Sequence, residues 1–153
     1  MTRFTTRSAL VFALALVTLS ASRAAADPPT QKLLHTIGAL GASSIYSIYV
    51  QIGLLGDAYA AKAYEADKAG EIAKEAANMA KQLAKTFNEL EKSGVDKDDQ
   101  KSCKEMAGIL NDLEREASAL ERYIRTKSKE DAAEFDRARK TAWPKIKTLL
   151  GIK

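Results

Sequence analysis

The sequence predicts an all-α protein, an antiparallel up-down-up-down four-helix bundle. Three observations point to it. Alanine, leucine, lysine and glutamate dominate the chain, and only Pro28, Pro29 and Pro144 could interrupt a helix. Apolar residues recur at alternating spacings of three and four over long stretches, with no strand-like alternation. The stretches are separated by short turn signals, which suits neighbouring helices in a bundle.

The chain opens with a leader rather than with the bundle. Arg3 and Arg7, the uncharged apolar run Ala9 to Leu19, and Ala24-Ala25-Ala26 together read as a cleavable secretory signal over residues 1–26. The run falls short of the about 20 residues of a spanning helix, and no lipid-acceptor cysteine follows it. Residues 27–153 then form a single helical-bundle domain released to the periplasm or the exterior, with no membrane role expected after cleavage. The formal charge of +4 falls to +1 once Arg3, Arg7 and Arg23 leave. A domain so nearly neutral, with acids and bases interspersed, lacks the basic stripe that nucleic-acid binding needs. A single cysteine, Cys103, excludes an internal disulfide and reads as a buried hydrophobe.

Helix 1 is expected to start near Thr30 as N-cap, turning Leu33, Ile37, Leu40, Ile45, Ile48, Ile52, Leu55 and Tyr59 inward. Its end is open. One reading runs a continuous helix to residue 92, another restarts it at Gly56-Asp57, and the favoured one places a turn near Tyr64 to Asp67. Helix 2, about Asp67 to Lys92, carries Ile72, Ala76, Met79, Leu83, Phe87 and Leu90 on one stripe, with alanines that admit close neighbours. Gly94 suits a left-handed residue closing it. Helix 3, about Lys97 to Thr126, is capped by Asp96 and turns Cys103, Met106, Leu110, Leu113, Ala117, Leu120 and Ile124 toward its partners. Helix 4 starts at Ser128, with Asp131 completing a capping-box-like pair, and runs to about Leu150. Its inward set is Ala132, Phe135, Ala138, Ala142, Ile146 and Leu149. Pro144 should kink or restart it, since a proline inside a helix costs about 3 kcal/mol. Gly151 and Ile152 end it.

Helix 1 departs from a bland bundle. Between Leu33 and Gly56 there is no Asp, Glu, Lys or Arg, although the outer face of a bundle helix is ordinarily charged. The stretch also holds Gly38, Gly41, Gly53 and Gly56, each disfavoured against alanine by about 0.8–1 kcal/mol in a helix, which implies close backbone approach or a break. Three readings stand: a helix packed tightly into its own bundle, an association surface, and a transmembrane helix. The association surface draws on Tyr46, Tyr49, Val50 and Gly53, because tyrosines on an uncharged face suit an interface. Its partner is an exported protein or a second copy of the chain, in a homo-oligomer. The transmembrane reading has the length, but His35, Gln51 and the serines dilute it.

Chemistry is poorly supplied. His35 is the sole histidine, which removes multi-histidine metal centres, and no Cys-x-x-Cys-His haem attachment occurs. His35 with Met79 and Met106 leaves a small-ligand or non-covalent haem carrier as the alternative function. The serines Ser43, Ser44 and Ser47 lie in helical rather than nucleophile-elbow positions. The pairs Glu71/Glu75, Asp112/Glu116 and Glu130/Glu134 have basic neighbours and read as solvated surface, as do the Asp112/Arg115 and Glu121/Arg125 pairs. The expectation is a non-enzymatic protein with no catalytic residue, no metal and no cofactor.

Three segments carry a resemblance: Ile45-Tyr46-Ser47-Ile48-Tyr49-Val50-Gln51-Ile52-Gly53-Leu54-Leu55-Gly56-Asp57, the Asp96-Lys97-Asp98-Asp99 turn, and Ala142-Trp143-Pro144-Lys145-Ile146-Lys147-Thr148-Leu149-Leu150-Gly151. Together the chain resembles a group of short, uncharacterised exported helical proteins of bacteria. That likeness implies an exported helical fold, and it transfers no functional residue.

Overall fold

The computed structural model describes residues 28–152, which form four helices: α1, Pro28–Ala60; α2, Ala66–Glu91; α3, Lys97–Thr126; and α4, Lys129–Leu150. No strand occurs among the described residues. The expected signal segment, residues 1–26, lies outside them.

Helix α3 is the centre of the molecule, packing against α2, α4 and α1. It begins where the Asp96 carboxylate accepts from the backbone N–H groups of Asp98 and Asp99, each at 2.9 Å. The expected seam residues from Cys103 to Ile124 are all buried. Against them α2 lays an alanine surface of Ala69, Ala73, Ala76, Ala77, Ala80 and Ala84, closed by Phe87. Short side chains let the two backbones approach closely, and this is the most extensive helix pair in the fold. Gly94 takes a φ of 92° in the turn that follows α2, as its position suggests.

At the next junction Lys127 adopts a left-handed conformation and Ser128 caps α4, its Oγ accepting from the Asp131 N–H at 3.1 Å. The Asp131 carboxylate in turn accepts from the hydroxyls of Thr126 and Ser128. These two bonds, aided by Arg122, hold its pKa below the ordinary carboxylate value. Gly151 closes α4 at φ 64°, its N–H donating to Thr148 and that of Ile152 to Lys147, the paired bonds of a Schellman stop.

Several expectations need correction. Helix α1 starts at Pro28 rather than at Thr30: its first-turn prolines cost nothing, because the N–H groups they lack have no intrahelical acceptor there. It runs unbroken through Gly56-Asp57 and ends at Ala60, ahead of Lys62 at φ 58°. Pro144 does not restart α4, which is continuous to Leu150. The lost bond is that to the Lys140 carbonyl; both residues are exposed, so water can satisfy it. Trp143 stays helical and half-buried, stacked on Tyr49 with ring centroids 5.2 Å apart. The inward stripes are also narrower than expected. Ile45, Ile48, Ile52 and Leu55 anchor α1 in the core, whereas Leu33, Leu40 and Met79 are exposed. Leu33 and Leu40 precede the first buried residue of α1, Gly41, and have no helix over them. Met79 loses its place to the neighbouring Ala80, which α3 packs against.

Candidate functional site

Two arrangements stand out, one sealed and one open. The sealed one sits between α3, α4 and α1. Asp112 and Glu116, one turn apart on α3, are buried, not solvated as their basic neighbours suggested. Helix α4 crosses that side of α3 and brings Arg139 and Lys145 onto the two carboxylates. Lys145 Nζ lies 2.5 Å from Asp112 Oδ2, and Arg115 pairs with Asp112 from its own helix. Arg139 Nη1 donates to Glu116 Oε1 at 2.9 Å and lies 3.4 Å from the Tyr49 carbonyl oxygen. Its guanidinium rests over the Tyr49 ring, 4.3 Å from the centroid. Gly53 makes room for it, since a Cβ there would fall 2.4 Å from Arg139 Nη2.

Glu116 is 0% exposed and its Oε2 has no hydrogen-bond partner among the described residues. Desolvation outweighs the attraction of Arg139 and pushes its pKa up to about 7. Such a perturbed acid can mark an active site. The small cleft nearby, about 70 Å³, is lined by Asp112, Arg115 and Glu134, and not by Glu116. The cluster ties α4 to α3 through two ion pairs. A signal for it existed in the sequence. Ile109, Asp112, Glu116 and Ala119 form a second stripe on α3 at spacings of three, four and three, and the apolar ends of that stripe mark a second buried side.

The open arrangement is the outer face of α1. Leu33, Leu40, Tyr46 and Leu54 are exposed along it, with Thr36, Ser43, Ser47 and Gln51 between them and no charge. Its second half borders an open groove of about 750 Å³ between α1 and α2. Tyr46, Val50, Leu54, Tyr64 and Ile72 give the groove an apolar lining, and Glu75 is its one charged residue. The four expected interface residues divide between the two arrangements. Tyr46 and Val50 line the groove, while Tyr49 and Gly53 face α4 and hold Arg139.

The carrier residues do not converge on the groove. Its lining includes neither His35, Met79 nor Met106. His35 is exposed, and Met106 is buried with its sulfur close to Gly41 and Phe87 around it. Cys103 is buried; desolvation, then Asp99 and Glu91, raise its pKa, so the thiol is held protonated. No group of three or more His, Cys, Asp or Glu residues placed to hold a metal is found among the described residues. Helix α1 is also long and apolar enough to cross a membrane by length and composition, a test that a core helix or a signal sequence passes equally.

No family model matches the chain, and no curated protein or solved structure does.

Proposed function

We propose that this is an exported, non-enzymatic helical-bundle protein that binds a protein partner through the uncharged outer face of α1. In this reading a signal segment, residues 1–26, is removed, as in the exported helical proteins that the chain resembles, and residues 27–153 act outside the cytoplasm as an antiparallel up-down-up-down bundle. The bundle topology is supported by residue pairings along the helices. Gly41 lies by Met106 and Tyr59 reaches Ile124, whereas Tyr49 meets Trp143 and Gly53 meets Arg139.

One observation carries the functional reading: leucines and a tyrosine stay exposed along a stretch of α1 that is free of charge between Leu33 and Gly56 and whose opposite side is in the core. Scattered exposed apolar residues are ordinary, but leucines and a tyrosine aligned on one uncharged side of a helix, with an apolar groove beside them, suit an interaction surface. Its serines, threonine and glutamine supply hydrogen bonds without the desolvation cost of charges, which suits a protein partner.

The test is a photo-crosslinking amino acid introduced at Ser47, in cells that export the protein, with the same group at exposed Lys104 on α3 as control. The expected result is discrete protein adducts from position 47, to this chain or another, and none from 104. Equal labelling at both positions, or none at 47, removes the reading.

A further inference from the structure

We propose that the partner is a second copy of this chain, the two α1 helices pairing antiparallel about a two-fold axis that passes near Ile45. The inference rests on the docking face proposed above and supplies its occupant.

The exposed side of α1 carries a helix-pairing seam. Thr36, Leu40, Ser43, Ser47, Val50 and Leu54 follow spacings of four, three, four, three and four, the heptad pattern by which one helix packs along another. All are exposed except Val50, which is half-buried at the groove. This seam lies opposite the one that Ile45, Ile48, Ile52 and Leu55 bury in the bundle. A two-fold interface must be self-complementary, each residue meeting its counterpart across the axis. Antiparallel pairing about Ile45 sets Leu40 of one protomer against Val50 of its partner, Leu54 against Thr36, and Ser43 against Ser47. Large residues then meet at the flanks, and small ones at the centre let the backbones approach closely.

Charge chooses the direction. The uncharged stretch is bracketed by Lys32 and Asp57, both exposed and neither in an ion pair among the described residues. They lie almost equally far from Ile45 on either side. Antiparallel pairing brings Lys32 of each protomer to Asp57 of the other and opposes the helix dipoles. Parallel pairing would stack lysine on lysine and aspartate on aspartate. The area suits a weak, transient dimer. The seam is roughly 30 Å long, and strips about 12 Å wide from both copies give on the order of 700 Å² before side-chain relief is counted. Tyr46 and Tyr64, which line the groove beside the seam, extend the contact toward the roughly 1,200 Å² at which specific interfaces begin. That size suits micromolar rather than nanomolar self-association.

Sedimentation equilibrium on the protein isolated from its exported fraction, over about 1–200 µM, tests this together with a charge-pair rescue. The wild type should be a concentration-dependent dimer. Leu40→Glu should weaken dimerisation by at least about tenfold, as should Val50→Lys, with helical content by circular dichroism unchanged. Joined in one chain, Leu40→Glu and Val50→Lys should restore association, because the axis sets glutamate of one protomer against lysine of the other. A wild type monomeric at about 200 µM overturns the proposal, as does a dimer indifferent to Leu40→Glu or a double variant no tighter than the singles. A monomer that still gives adducts from position 47 leaves the docking face standing with a different partner. A monomer with no such adducts removes both.

Discussion

Glu116 shows how one side chain ties three helices together at an energetic cost. Its carboxylate is fully buried with a single partner, Arg139, and its pKa stands near 7 instead of the ordinary carboxylate range. Because the folded pKa is raised, the folded chain holds a proton that the unfolded chain gives up between about pH 4.3 and 7, so stability falls as pH rises through that window. Above it the ionised, half-satisfied carboxylate costs about 3 kcal/mol. Glu116→Gln imitates the protonated acid. Denaturant unfolding at pH 8 should therefore find the variant more stable by about 2–3 kcal/mol, with the two proteins converging near pH 4. A variant less stable than wild type at pH 8 would show that the Arg139 attraction outweighs desolvation. The sequence offered both acids and their basic neighbours, yet not their burial. The same pattern on an uncovered helix is a solvated surface, and only the crossing of α4 over α3 decides between them.

Among the elements, α2 to α4 were more legible than α1, and the reason lies in their charges. On α3 the acidic and basic residues mark most of the outside, so the seam from Cys103 to Ile124 has a defined phase, and the Asp96 and Ser128 caps fix where α3 and α4 begin. Helix α1 lacks such markers. Its apolar residues fall on two stripes, one buried and one exposed, and nothing between Leu33 and Gly56 says which is which. Its glycines pointed to close backbone approach or a break; the helix is unbroken, and at some of them a neighbouring side chain takes the space. Gly41 lies against Phe87 and Gly53 against Arg139, whereas a Cβ at Gly38 would meet nothing within 4 Å. Substituting the two extremes separates the effects. Gly38→Ala should stabilise the helix by up to about 1 kcal/mol at any pH, through propensity alone. Gly53→Ala gains the same propensity but displaces a guanidinium pinned between Glu116 and Tyr49. A net loss of about 1–2 kcal/mol is expected at pH 8, where Glu116 is ionised and left unpaired, and little or none near pH 4. Equal effects of Gly53→Ala at the two pH values would sever it from the ion pair.

For the molecule as a whole, cohesion is uneven, greatest where α2 and α3 meet and least at the start of α1. The α2–α3 contact is alanine-lined and continuous, and α4 packs on another side of α3 through Ala142, Ile146 and the ion pairs to Glu116 and Asp112. Helix α1 has fully buried residues in this body only from Gly41 onward. From Thr30 to Leu40 half-buried Ile37 packs against the core while most neighbours are exposed, so this segment has sparser tertiary packing than the rest of α1. Helical segments without tertiary support open at low free-energy cost, because propensity alone barely sustains a helix of this length in water. Amide hydrogen exchange should accordingly be ordered. The centres of α2 and α3 are expected to exchange last, the Ile45 to Leu55 segment of α1 earlier, and residues 30–40 first in dilute solution. Concentrating the sample should slow exchange at 36–54, where the exposed seam becomes covered, and leave the outer face of α3 unchanged. Residues 30–40 as protected in dilute solution as the α3 centre would contradict this order. Protection at 36–54 independent of concentration would detach the exposed leucines from self-pairing, leaving α1 held by its own bundle alone.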